Sequence, residues 1–244
     1  MIVKRSAAES DLDDISRGVA DDVFLAELSR RFLERLDEAV QRINDTGIGK
    51  LFFANLQIIL QQALVLSVTR IYEPYSPRNP GRTLPAAIRH IEVHATALPV
   101  PNRASLVDYL ASHGHSRDAV ELLRDEQLSL TFATALAAEI PRPDAAGTSP
   151  LSQALAQLKT VRDKAIAHHD RVNPSSLLIP GWVHLVTLID TAREALTLVA
   201  RAYLSVGYNL ESNADLPAHS LRDLLRRAGL GAGSESDPRG YDVD

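Results

Sequence analysis

The chain has 244 residues, 45% of them apolar but only 5% aromatic, with a formal net charge of −5 and no cysteine. Disulfides and cysteine-ligated zinc are therefore excluded, and a chain with no global attraction to nucleic acid must carry any RNA site as a local basic cleft. Abundant Leu and Ala with few aromatics favour helices over sandwiches or barrels, at a length that suits one good-sized domain or two small ones.

Met1–Arg5 runs straight into the acidic stretch Glu9–Asp14, so no secretory signal is read there, and residues 1–20 are expected to be an N-terminal extension. Val23, Leu25, Leu28, Phe32, Leu36 and Val40 recur mostly at three- and four-residue spacing, predicting a helix over 21–45, with Gly47 and Gly49 ending it. A second helix is expected over 50–73. Its most apolar part, Leu51–Val68, is interrupted by Asn55, Gln57, Gln61 and Gln62 and reads as a buried helix rather than a membrane span. The expectation is a soluble, cytoplasmic protein. Two prolines and a glycine in Tyr75–Gly81 make a loop.

Shorter helices follow over 84–97 and 104–113, then one over 117–139 that Ser116 can cap. Ser149 followed by Pro150, a cap and a first-turn proline, opens a helix over 150–170. Asn173-Pro174 closes it. A long helix is expected over 181–207 and a last one over 216–228, with Asp215 as cap and Pro217 in its first turn. Residues 229–244 are rich in Gly, Ser and Asp and are read as a disordered tail. With no alternating strand pattern and short loops between long helices, the fold expected is an all-α antiparallel helical bundle, one domain over 21–228.

The chemistry concentrates in Leu158-Lys-Thr-Val-Arg-Asp-Lys-Ala-Ile-Ala-His-His-Asp170. Arg162, Asp163 and Lys164 precede His168 and His169 by one to two helical turns. An arginine that holds a phosphate near a histidine that titrates around neutral pH is the minimum kit for metal-free RNA cleavage. In an ideal helix at about 100° per residue, His169 lies about 20° from Arg162 and His168 about 120° away. The alternative reading is a solvated helix face ending in two histidines, favourable at a helix C-terminus on dipole grounds alone.

This segment resembles the Arg-x(4–6)-His signature of HEPN domains, and "RDKAIAHHD" resembles the arginine…Ala-His-x-Asp run of the AbiU-type HEPN family, associated with phage abortive infection. A second anchor is Ala63–Glu73, similar to the family's helix that closes on an arginine and an acid (Arg70, Glu73), followed by a Ser/Thr-Leu helix start, here Thr83-Leu84. Coverage is roughly residues 20–205. The resemblance implies a two-fold dimer whose motif helices face each other, and a metal-independent endoribonuclease acting as an antiviral or toxin effector on single-stranded RNA. An antitoxin or nucleotidyltransferase partner is also implied. Arg162, His168, His169 and Asp163 would form the catalytic set, with Lys164 and Arg70 touching substrate and with neither cofactor nor metal. Ala-His-x-Asp favours His168 where helix geometry favours His169.

The sequence departs from the pattern at Asp163, often Asn in HEPN ribonucleases, where a carboxylate would repel a phosphate unless Arg162 or Lys164 compensates. No Tyr follows either histidine by two residues, which argues against the subgroup modified there by a nucleotidyltransferase. The alternative function is a non-catalytic HEPN-like dimer that binds RNA or protein. At a dimer interface, Ala165 and Ala167 would allow close approach, with Leu155, Leu158 and Val161 supplying apolar contact or else facing the protomer's own core. His90 and His94, at i and i+4, share a face that could bind metal, but "HIEVH" is not the zinc-protease order. Trp182 and His184 are expected in the core beside the motif.

Overall fold

The computed structural model describes residues 5–78, 80–143, 149–167 and 180–231. Among the described residues there are nine α-helices and no strand. The longest, α1 (Ala7–Thr46), begins where the Ser6 hydroxyl accepts a hydrogen bond from the Glu9 amide while the Glu9 carboxylate accepts one from the Ser6 amide. This reciprocal cap satisfies two amides that a helix start otherwise leaves unpaired. The helix therefore starts well before residue 21. Residues 7–20, expected as an extension, are its first turns and place Leu12 and Val19, both fully buried, in the core. The apolar spacing there is carried by small and polar residues (Ala8, Ser16, Gly18), which hid it from a hydrophobic count.

Gly47 closes α1 in the left-handed region at φ 68°, and Gly49 at φ 63° opens α2 (Lys50–Ile71). Two left-handed residues in three reverse the chain sharply, so α2 returns antiparallel along α1. α2 differs from its expectation as a buried helix. Leu60, Leu64, Val68 and Ile71 are buried, but Leu51, Phe52, Ile58 and Ile59 are exposed. By length and composition it is the one helix among the described residues long and apolar enough to cross a membrane. Its C-terminal half is nonetheless fixed in the bundle, and Tyr72, just past its end, donates from its buried hydroxyl to the Leu188 carbonyl at 2.5 Å.

Thr83 caps α3 (Leu84–Val93) by accepting from the Ala86 amide. α4 (Arg103–Ser112) follows. The single helix expected over 117–139 is two, α5 (Arg117–Glu121) and α6 (Asp125–Glu139), and the Ser116 side chain makes no cap bond. Arg103 fills the break, donating to the carbonyls of Glu121 and Leu123 and pairing with Asp125 at 2.5 Å. α7 (Pro150–Val161) carries the motif, α8 (Trp182–Val199) runs into a π-helical stretch Ala200–Leu204, and α9 (Leu210–Arg227) packs back on α1. α9 starts earlier than expected. Pro217 lies inside the helix rather than in its first turn, and Asp215 pairs with Arg31 of α1 instead of capping.

One core joins these helices, with Val23, Val68, Phe132, Leu158, Leu188 and Leu196 at most 1% exposed. Against it, α2, α7 and α8 pack as neighbours, bringing the end of α2 beside the motif.

Candidate functional site

The motif helix starts as the sequence requires. Ser149 accepts from the Ser152 amide at 3.1 Å, and Pro150, which has no amide to leave unpaired, fills the first turn. Leu155 and Leu158 are 1% and 0% exposed in the protomer's own core, so they are not available as a contact to another chain. At Arg162 the α-helix gives way to a π-helical turn, Arg162–Ala167. Bonding then runs from i to i+5, and the wider turn breaks the 100° spacing on which the choice between His168 and His169 rested. His168, His169 and Asp170 lie outside the described residues, as do the side chains of Ala165 and Ala167.

The arginine itself is placed. Its Nε donates to Asp163 Oδ1 at 2.8 Å, and its Nη1 donates to Glu73 Oε1 at 3.4 Å. The Arg162 side chain is 18% exposed, against 51% for Glu73 and 43% for Asp163. The carboxylate expected to repel a phosphate thus lies on the arginine, and a second one reaches it from just beyond α2. Lys164 is exposed on the same turn.

Arg70 does not pair with Glu73. It reaches across to Asp22 of α1 at 3.4 Å, with its own side chain 63% exposed. Burial raises the Asp22 carboxyl above the ordinary carboxylate range although Arg70 opposes the shift. Arg70 is also not among the residues that line the cavity beside Arg162. Arg70 lies in the last turn of α2, and the bond between it and Glu73 is a backbone one, the Glu73 amide donating to the Arg70 carbonyl at 3.2 Å.

The small cavity beside Arg162 is walled by Thr69, Glu73, Leu155 and Lys159, and it shares Tyr72, Pro74 and Pro143 with a larger one of about 260 Å³. The larger cavity adds Tyr75, Arg89, Glu92 and Arg142. The two adjoin, and their linings together carry four cations, Arg89, Arg142, Lys159 and Arg162, against two acids, Glu73 and Glu92. On a chain of net charge −5 this is a locally basic cleft. Tyr75, Arg142 and Lys159 carried no motif, and only the exposed aromatic among the loop prolines 74, 77 and 80 offered a signal.

Other expected features fall elsewhere. His90 and His94 stack with ring centroids 4.4 Å apart, and His90 Nε2 lies 2.8 Å from the Ala8 carbonyl, a tie between α3 and α1. Among the described residues, no group of three or more His, Asp or Glu is placed to hold a metal. His113 pairs with Glu139 at 2.5 Å, and Glu139 also accepts from the Tyr109 hydroxyl at 2.7 Å. Trp182 is 42% exposed rather than core, because it stands at the rim of an apolar groove between α2 and α7 that Ile58, Val161 and Ile166 also line.

An all-helical bundle whose motif helix carries an arginine into a basic cleft, just ahead of paired histidines in the sequence, is the HEPN type of domain. The sequence profile of the AbiU2 HEPN family matches residues 11–214, and the chain belongs to that family, which is related to abortive infection. No curated protein and no solved structure matches the chain.

Proposed function

We propose that the protein is a metal-independent endoribonuclease and acts as the effector of an abortive-infection or toxin system. The observation that carries this reading is Arg162 at one end of a cleft whose lining carries more cations than acids. A guanidinium there can hold a bridging phosphate through paired donors and offset the charge that builds in the transition state. In the reaction, the 2′-oxygen of the substrate attacks the adjacent phosphorus and gives its proton to a histidine. The bond to the 5′-oxygen breaks and that oxygen takes up a proton, leaving a 2′,3′-cyclic phosphate and a 5′-hydroxyl. His168 and His169 are the candidates for these transfers.

One histidine does not easily serve both ends of an in-line displacement, so the reading includes a homodimer in which a second copy supplies the other Arg/His pair. Arg162 must leave Glu73 and Asp163 to take a phosphate, and Lys164 adds charge nearby.

A second reading has its own support. Arg162 is already held by two carboxylates and mostly covered, as a structural arginine would be. On that reading the protein is a HEPN-like module that binds RNA or a protein without chemistry. One assay separates the two: purified protein, single-stranded RNA and EDTA. The ribonuclease reading expects cleavage to 2′,3′-cyclic ends that disappears in Arg162→Ala and in the His168→Ala/His169→Ala double variant. Activity that chelator abolishes, or that survives both variants, overturns it.

A further inference from the structure

We propose that the wide end of the basic cleft is a subsite for one nucleotide next to the scissile phosphate of a single-stranded RNA. Its base would lie against the Tyr75 ring and its phosphate on Arg142. The inference rests on the RNA reading above and assigns recognition to residues that no motif marks.

Three observations lead there. First, the wide cavity and the one at Arg162 share Tyr72, Pro74 and Pro143 as lining, so the two lie side by side and a strand whose phosphate reaches Arg162 passes next to the wide one. Second, its walls are preformed. Four of its lining residues are prolines (74, 85, 141 and 143), which have fixed φ and no amide to satisfy, so they present stiff apolar faces. At about 260 Å³ it is smaller than the ~300–1,000 Å³ of pockets that enclose a whole ligand, a size suited to one base.

Third, the chemistry at its mouth is that of a stacking site. Tyr75 is 41% exposed, unlike Tyr72 and Tyr203, which are 1% exposed, and an aromatic face accepts any base. The two cations differ. Arg89 is paired with Glu92 at 3.0 Å and is largely neutralised. Arg142 donates a long bond of 3.4 Å to the Ala137 carbonyl and pairs with no carboxylate among the described residues. It is exposed and so costs little to redirect. Arg142 is therefore the phosphate contact, and Arg89 keeps Glu92 from repelling the strand.

The test measures binding of a fluorescent mixed-sequence single-stranded RNA of about 12 nucleotides, a length that covers several bases on each side of a site. The full chain carries Arg162→Ala, so that no probe is cut. In that background Tyr75→Ala is expected to weaken binding about tenfold, the loss of one stacked base, while Tyr75→Phe retains it. Arg142→Ala is expected to weaken binding and to reduce the salt slope by about one. Both residues are exposed, so thermal melts should be unchanged. Unaltered binding in Tyr75→Ala and Arg142→Ala, or losses that Tyr75→Phe shares, overturns the subsite. Cleavage by the wild type in EDTA is read separately. Binding losses without any cleavage uphold the subsite and sink the ribonuclease, and cleavage with no binding losses does the reverse.

Discussion

Glu73 reaches Arg162 across 89 positions of sequence, its Oε1 accepting from Nη1 at 3.4 Å, and this ties the end of α2 to the π-helical turn of the motif. The acid was visible in the sequence as the close of the second family anchor, but its contact with Arg162 was not. Since Glu73 is half exposed, its pair with Arg162 is worth only a fraction of a kcal/mol to the fold, yet a phosphate arriving at Arg162 must compete with it.

Glu73→Gln therefore removes a competitor without opening a cavity. RNA affinity, and cleavage at sub-saturating substrate, are expected to rise by up to about fivefold, matching the ~0.2–1 kcal/mol of an exposed pair. Thermal stability should be nearly unchanged. A fall in activity would show instead that Glu73 positions the arginine for use, or takes part in chemistry itself.

The fold was legible wherever apolar residues recur at helical spacing and wherever a cap has its own signature, as at Ser149-Pro150, Thr83 and Gly47. It was illegible at the start of α1, where Ala, Ser and Gly fill core positions and Arg82 of the segment before α3 comes close to Gly18, and at residues 121–125, where Arg103 rather than local sequence breaks the helix. The motif arginine could be found from spacing alone. Its environment could not, because Glu73 and Tyr75 arrive from the segment after α2 and Arg142 from the one after α6, and the π turn at Arg162–Ala167 has no propensity signal.

Glu27 shows how a helix of this length holds an acid in the core. It is 1% exposed and accepts from Arg30 at 2.9 and 2.7 Å and from Arg31 at 2.6 Å. Burial opposes its ionisation, but the two guanidinium groups outweigh burial and hold its carboxyl below the usual 4.5. Arg31 then continues to Asp215 of α9. Glu27→Gln leaves two arginines facing an uncharged amide and is expected to cost about 3 kcal/mol in chemical denaturation near neutral pH. The sign with pH follows from the depressed folded-state value: the carboxylate's contribution is complete above 4.5 and is lost as pH falls through that lower value. The difference between wild type and variant should thus shrink as pH is taken progressively below 4.5. A difference that is constant with pH would show that Glu27 contributes by shape rather than charge.

Gly18 sits in the interior of α1, where glycine costs up to about 1 kcal/mol relative to alanine. A Cβ built there would lie 2.3 Å from Cβ of Arg82, in the segment that leads into α3. That atom is fixed by the backbone and cannot swing away. Gly18→Ala is accordingly expected to lower the melting temperature by several degrees rather than raise it. An increase would mean that residues 81–83 shift freely, and that the approach of this segment to α1 is not required.

The proposed second copy would sit against α2. Leu155 and Leu158 are spent on the protomer's own core, which leaves α2 as the motif's apolar neighbour. Leu51, Phe52, Ile58 and Ile59 are 76%, 62%, 52% and 60% exposed, and Ile58 also lines the groove that Val161, Ile166 and Trp182 share beside the motif turn. A two-fold axis over this face would bury it against its own copy and bring two motif turns near each other, the arrangement a two-sided site needs. Ile59 points away from the protomer core, so Ile59→Glu should leave the helical signal and melting temperature intact while reducing the mass in solution from a dimer to the 26.6 kDa of one chain. Cleavage should fall with dimer content and recover at higher protein concentration. A dimer that survives Ile59→Glu places the axis elsewhere. A wild-type monomer that partitions onto lipid vesicles through α2 would replace the dimer with a membrane-facing helix, in keeping with the length and apolar composition of that segment.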